Sequence, residues 1–301
     1  MDRDLLLALR LLQWPNPMLD DRPTYWQIAK YLDLSPKSVR MKLARLADSG
    51  VFGGINFVPD VSLFGLSRTA VYVSAERSVQ NTIWNDFSTL DTVIYLHRYG
   101  LSSDTIIMEV VHYDEEHLKS QLELFSKVFG QINVRGKQVY KTSVDFKFDS
   151  KDIAILRVLV TDPMIKLSRI SALTGIGVRT INSRIHKMAF SNAISCEPIF
   201  NGYNGVQPLF YIVSIFHGGD CKKEIKEKAI EVLKFNYVSI KEYFDGTVLF
   251  LVAVENFQDM SNLYEELEST LTGSQLTLIH PFESRYNLPR IVKTMLNNNI
   301  T

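Results

Sequence analysis

The side chains best suited to chemistry fall in two basic sets at equivalent places in the chain. Lys37, Ser38, Arg40, Lys42 and Arg45 lie in the acid-free stretch Ser35–Leu46, and Arg179, Thr180, Asn182, Arg184 and Lys187 in the acid-free stretch Met164–Met188. Each set accompanies an apolar stripe at i, i+4, i+7 (Val39, Leu43, Leu46; Ile181, Ile185, Met188), so each belongs to an amphipathic helix with its polar side turned outward. Basic helices after a turn suit duplex nucleic acid. The N-terminal residues of such a helix reach base edges, where Arg pairs with guanine and Asn with adenine through two hydrogen bonds. On that geometry Lys37, Ser38, Arg40, Arg179, Thr180 and Asn182 face bases or flanking phosphates, while Lys42, Arg45, Arg184 and Lys187 bind phosphate, which positions without specifying sequence. A solvated helix face is the plainer alternative, and it holds more easily for one helix than for two that match.

Other chemistry is sparse. No phosphate-binding glycine loop, His-Glu-x-x-His helix or nucleophile elbow is present. Cys196 and Cys221 lack a partner motif, and His112 with His117 lacks a third ligand, so neither a disulfide framework nor a metal site is predicted. No cofactor is predicted. Lys and Arg total 33 against 33 Asp and Glu, so the net charge of zero does not mark a nucleic-acid binder, and the local patches decide. The 46% hydrophobic content describes an ordered globular chain. No apolar run approaches the ~20 residues that span a bilayer, and the charged N-terminus does not read as a signal peptide. A cytoplasmic protein with no membrane partner is predicted.

These helices must be held by a repeated scaffold. Ile28–Leu46 and Ile170–Met188 align without a gap, and Leu9-Arg10-Leu11-Leu12 matches Leu156-Arg157-Val158-Leu159 as a leading helix. After each helical triplet the period changes to two, with strands at 67–75 and 208–216. A helix, paired strands (Val93–Tyr99 with Thr105–Val111; Val238–Phe244 with Thr247–Val254), a second helix (Glu115–Phe129; Phe257–Leu271) and a closing strand (Gln138–Val144; Gln275–Pro281) complete each unit. The β-α-β-β-α-β order is the ferredoxin-like arrangement. The predicted fold is α+β, with a winged helix-turn-helix at 1–60, a ferredoxin-like domain at 66–146, a second winged helix-turn-helix at 147–202, a second ferredoxin-like domain at 207–287 and a C-terminal tail at 288–301.

Three passages resemble the leucine-responsive regulatory protein/AsnC family: Phe148-Asp-Ser-Lys-Asp152-Ile-Ala-Ile155-Leu156-Arg-Val-Leu159, Leu34-Ser35-Pro36-x-x-Val39, and Gly50–Ile55 with Val58-Pro59-Asp60 through Leu63–Leu66. The resemblance covers nearly the whole chain twice over, whereas family subunits usually carry one copy. It implies a sequence-specific transcriptional regulator that is not an enzyme and binds double-stranded DNA from two units of one chain. That chain would be an intramolecular pseudo-dimer whose sheets pair, with operator half-sites ~34 Å apart. It also implies a small-molecule effector near the turn between the second and third strands, where Tyr99, Gly100, Ser102 and Asp104 are the candidates, although an ordinary hairpin turn is equally consistent. Further homo-oligomerisation is left open. The second helix-turn-helix lacks a glycine-rich wing, so a mainly structural role for it is an alternative. So is a tail helix beyond Asn287 that packs on a neighbour. Two other readings remain. Siroheme decarboxylases share this architecture, and His97-Arg98-Tyr99 resembles their histidine-tyrosine segment, while Asp104-Thr-Ile-Ile107 departs from the rest of their motif. An interaction scaffold without DNA binding is the other.

Overall fold

A computed structural model describes residues 3–13, 22–50, 52–99, 105–140, 144–200, 209–217, 223–234, 236–243, 245–279, 282–287 and 292. The first module opens with α1 (Arg3–Leu11), α2 (Tyr25–Tyr31) and α3 (Pro36–Asp48), then β1 (Phe52–Pro59). The α3 helix starts where the residue types dictate: the Ser35 hydroxyl accepts from the Ser38 amide at 3.0 Å and Pro36 occupies the first turn. Its ferredoxin-like unit is β2 (Ser67–Ser74), α4 (Arg77–Asn85), β3 (Val93–Tyr99), β4 (Thr105–His112), α5 (Glu115–Phe129) and β5 (Asn133–Val139). The second module repeats the order with α6 (Ser150–Thr161), α7 (Leu167–Thr174), α8 (Val178–Phe190), β6 (Ile194–Phe200), β7 (Leu209–Phe216), α9 (Lys223–Leu233), β8 (Tyr237–Glu242), β9 (Val248–Val254), α10 (Phe257–Thr270) and β10 (Gln275–Ile279); β11 (Phe282–Tyr286) is additional. The fold class read from the sequence, a tandem of helix-turn-helix and ferredoxin-like units, is the fold observed.

Three sheets tie the copies together. β1 and β6 form a two-stranded antiparallel ribbon, with Phe57 opposite Cys196 and Asn56 opposite Glu197. A bulge at Gly54, at φ +112°, lets the ribbon bend. The second wing is therefore present, since Ile194–Phe200 is a paired strand even though it lacks glycine. The second ferredoxin-like sheet runs β10-β7-β9-β8, and the first runs β11-β3-β4-β2-β5. Strand β11 thus leaves its own module to pair with β3, with Arg285 opposite Leu96.

Packing is also crossed. The core of the second helix-turn-helix (Ile155, Leu159, Ile181, Ile185) closes over Ile94, Tyr95 and Val111 of the first ferredoxin-like unit. The first (Leu9, Ile28, Val39, Leu43) closes over Val238 and Ala253 of the second. Arg10 reinforces that packing by donating to the Lys234 and Tyr237 carbonyls, both at 2.7 Å. The outer faces of both sheets carry their own helices. Their inner faces meet through Ala70, Ile107, Tyr140, Tyr243 and Leu249. Val292, the one described residue of the tail, is buried in this chain's own core beside Phe57 and Ile94, so at that point the tail packs inward rather than on a neighbour. The strand expected at Gln138–Val144 lies earlier, at Asn133–Val139. It is a sheet edge with one largely exposed face, and its polar residues and Gly136 hide the period-two signal.

Candidate functional site in the cleft between the two sheets

Strands β2 and β7 are each eight residues long and correspond position by position, with Ala70 matching Ile212. Their partners across the ladders then correspond too. Ala70 faces Glu109 while Ile212 faces Leu251. Tyr72 faces Ile107, which faces His97, whereas Ser214 faces Leu249, which faces Lys241. A pseudo-two-fold axis therefore sets His97 against Lys241 and Glu109 against Leu251. The two halves carry different side chains at equivalent positions, His97 and Glu109 in one and Lys241 and Leu251 in the other, so the cleft is a single asymmetric site rather than two copies.

Glu109 is the centre. Its residue is 2% exposed, on a strand that is apolar on both sides. A buried carboxylate is costly unless paired, and here it is paired from four directions. Arg68 donates through Nε at 3.1 Å and also through Nη2; Lys241 Nζ donates to Oε1 at 2.9 Å; Tyr140 Oη donates to Oε1; and His97 Nε2 lies 3.6 Å from Oε1. Tyr243 donates to the Tyr140 hydroxyl at 3.1 Å, linking the two sheets. The Arg68 guanidinium lies over the Tyr140 ring at 4.2 Å and Lys241 Nζ over Tyr95 at 4.8 Å, which helps hold two cations out of water. Tyr95 stacks on His97 at 5.8 Å and donates to Glu197 of β6 at 3.4 Å.

The electrostatics follow from this packing. Burial opposes ionisation of Glu109, but Arg68 and Lys241 outweigh it and hold the carboxyl well below its usual range; the same pairing raises the Arg68 guanidinium. Burial lowers the His97 imidazole, and Glu109 only partly offsets it. The phenols of Tyr95, Tyr140 and Tyr243 are pushed well up, first by burial. At neutral pH the cleft therefore presents a neutral imidazole, an ionised carboxylate and protonated phenols.

The void contains about 150 Å³ of enclosed space within about 980 Å³ that opens to solvent. His97, Glu109, Lys241, Tyr95, Tyr243, Glu197 and Ser239 form its polar lining, and Ile107, Phe200, Ile212, Leu249 and Leu251 are among its apolar walls. Gln13, at the end of α1, closes one side and donates to the Val238 carbonyl. An apolar chamber with a few convergent polar groups is the usual form of a small-molecule site.

The residues expected to act are distributed differently. Lys37, Arg40 and Arg45 are exposed on α3, with Ser38 and Lys42 partly so. On α8, Arg179, Thr180 and Lys187 are exposed and Asn182 partly buried. Arg179 and Asn182 border a cleft whose other wall is Arg22–Gln27 of the first module, so this helix does not stand clear as α3 does. Arg184 donates to Asp149 at 2.8 Å and to Asp152 at 2.8 Å, the two acids of the α6 capping box, so its charge is already paired within the chain. Tyr99 pairs its backbone with Phe282, while Gly100, Ser102 and Asp104 lie outside the described residues. Among the described residues that were singled out, only His97 lies in the inter-sheet cleft. Arg68, Glu109, Lys241, Tyr140, Tyr243 and Glu197 were missed. One signal was available: Glu109 interrupts Ile106–Val111, a run otherwise fit for full burial.

No family model matches the chain, and no curated protein matches its sequence. Among solved structures, the siroheme decarboxylase NirDL is similar over 98% of this chain and 99% of its own, with 10% identity and a TM-score of 0.51. The same enzyme in co-complex with an iron-uroporphyrin III analogue gives 11% identity, the same coverage and 0.51. E. coli AsnC is similar over 50% of this chain and 97% of its own, with 15% identity and a TM-score of 0.35. These are likenesses of fold. They correct one expectation, that the chain is not an enzyme: a solved structure similar over nearly the whole of this chain is an enzyme.

Proposed function

We propose that the inter-sheet cleft is the active site of a decarboxylase acting on a carboxylate-bearing tetrapyrrole of the siroheme class. The observation that carries the reading is the asymmetric cluster of His97, Glu109 and Lys241 at the polar end of an otherwise apolar cleft. Apolar walls suit a macrocycle face. Lys241, fixed by Glu109 through one N–H, has further donors for a substrate carboxylate. Glu109 fixes the position of that Lys241 amine and stands beside the His97 ring. Burial of the reacting arm away from water destabilises its carboxylate relative to neutral CO2. The carbon–carbon bond then breaks, CO2 leaves, the electron pair passes to the methylene carbon and into the ring, and a proton from His97 completes the methyl group. An approaching carboxylate stabilises the imidazolium that burial disfavours. The test is anaerobic incubation of the purified chain with siroheme, followed by mass spectrometry of the tetrapyrrole. Loss of CO2 that disappears in His97→Ala supports the reading, and an unchanged tetrapyrrole with the wild-type chain defeats it.

The first helix-turn-helix favours a second reading, DNA binding, because α3 turns Lys37, Arg40 and Arg45 to solvent with no acidic residue before Asp48. Selection from random duplexes tests it; absence of any enriched motif counts against it.

A further inference from the structure

A second cleft, of about 680 Å³, lies between the two helix-turn-helix units, far in sequence from the charged cluster of the sheets. One wall is the segment leading into α2, with Arg22, Thr24, Trp26 and Gln27; the other is α8, with Arg179, Asn182, Ser183 and His186. Among the described residues no acidic side chain lines it. Arg22 is only 7% exposed, and its Nη1 has no hydrogen-bond partner among the described residues, while Nη2 is held by the Ile165 carbonyl. A buried guanidinium N–H without an acceptor is rare. Asp162 acts on Arg22 only through space, and burial still lowers the guanidinium. The same wall offers a further donor. Thr24 donates its hydroxyl to the Gln27 side-chain carbonyl at 2.9 Å and accepts the Gln27 backbone amide at 3.2 Å. This occupies the acceptor of that amide and leaves its NH2 as a donor. The Arg179 guanidinium is exposed and makes no ion pair among the described residues.

We infer that this cleft binds a small phosphate-type oxyanion, either inorganic phosphate or the phosphoryl group of a metabolite. Arg22 and Gln27 on one wall and Arg179 on the other offer more donors than a single carboxylate can accept, and guanidinium groups bind phosphate oxygens through strong charge-assisted hydrogen bonds. Arg22 lies too deep for the backbone of a duplex to reach, so the guest is small. It would bridge the two helix-turn-helix units and fix α8 relative to α2.

The full chain, prepared free of phosphate and sulfate, would be titrated with inorganic phosphate by calorimetry and by thermal unfolding. The expected result is saturable binding with a rise in unfolding temperature, weakened at least about tenfold in both Arg179→Met and Gln27→Glu. Because Arg22→Met removes a buried side chain, it serves only alongside these two exposed or half-exposed positions. A non-specific duplex is the competitor. Phosphate binding that survives excess duplex supports the small-anion site. Displacement by duplex assigns the cleft to phosphodiester and overturns it. Absence of saturable phosphate binding overturns it as well.

Discussion

Replacing Glu109 by leucine tests the account of the inter-sheet cleft most directly. The substitution removes the carboxylate and leaves Arg68 and Lys241 facing each other across the sheets. Breaking a buried pair by deleting one partner costs about 3–5 kcal/mol. The Lys241 side chain is 28% exposed and can swing toward water, whereas that of Arg68 is 12% exposed and stays pinned over Tyr140. The loss should therefore fall at the lower end, about 3 kcal/mol. With an unfolding entropy of about 2.1 cal/mol/K per residue over 301 residues, that is a fall of about 5 °C in melting temperature. The second half of the fold shows how to recover it, since Leu251 already occupies the equivalent position. Adding Arg68→Met and Lys241→Leu removes the stranded charges and should return most of the lost stability. The native pKa of Glu109 lies below its unfolded value, so its stabilisation is complete above about pH 5 and is lost as pH falls toward the native value. The deficit of Glu109→Leu should accordingly shrink on acidification. Scanning calorimetry of wild type, single and triple variants at neutral and acidic pH measures all of this. A single variant as stable as wild type, or a triple variant no better than the single, refutes the claim that mutual neutralisation holds the cluster.

If His97 supplies the proton, His97→Gln should lower turnover of the tetrapyrrole about a hundredfold or more while leaving the melting temperature close to wild type. Because burial lowers its imidazole, kcat/KM should rise as pH falls below about 6.5, the ordinary histidine value; a flat profile there removes His97 as the donor. For DNA, changing Lys37, Arg40 and Arg45 together to alanine should flatten the dependence of log affinity on log salt by about 0.9 for each phosphate that is no longer neutralised. An unchanged slope would place the phosphate-binding cations elsewhere. Asp149→Ala should destabilise the chain by about 1 kcal/mol through loss of the α6 cap, read from urea unfolding, and a neutral result would show that Arg184 and Asp152 hold the helix start alone.

Much of the architecture was legible because it is written in local periodicity. The i, i+4, i+7 stripes of α3 and α8, the cap at Ser35, the alternation in β2 and β7 and the gapless repeat each depend on residues within one or two turns of one another. Failures came where neighbours in sequence are not neighbours in space. Strand β5 is a polar edge, and β11 takes its partner from the other module, so neither carries a complete local pattern. The same holds for Arg184, which looks like a phosphate ligand until α6 places Asp149 and Asp152 beside it.

The charged site was less legible still. Arg68, His97 and Glu109 come from three strands of one sheet and Lys241 from the facing sheet, 132 residues beyond Glu109. In sequence each is a single charged or polar residue in a strand, consistent with an ordinary solvated face. Their convergence depends on two sheets packing about a pseudo-two-fold axis, and on divergence having left Leu251 where the first copy has Glu109. The amino-acid sequence by itself determined the repeated modules, their element order and the amphipathic helices, because hydrophobic period and capping act over a few residues. Only the tertiary structure decided the crossed packing of the modules and the grouping of Arg68, His97, Glu109 and Lys241 in one cluster, because a charge is costly to bury except where folding brings it a partner.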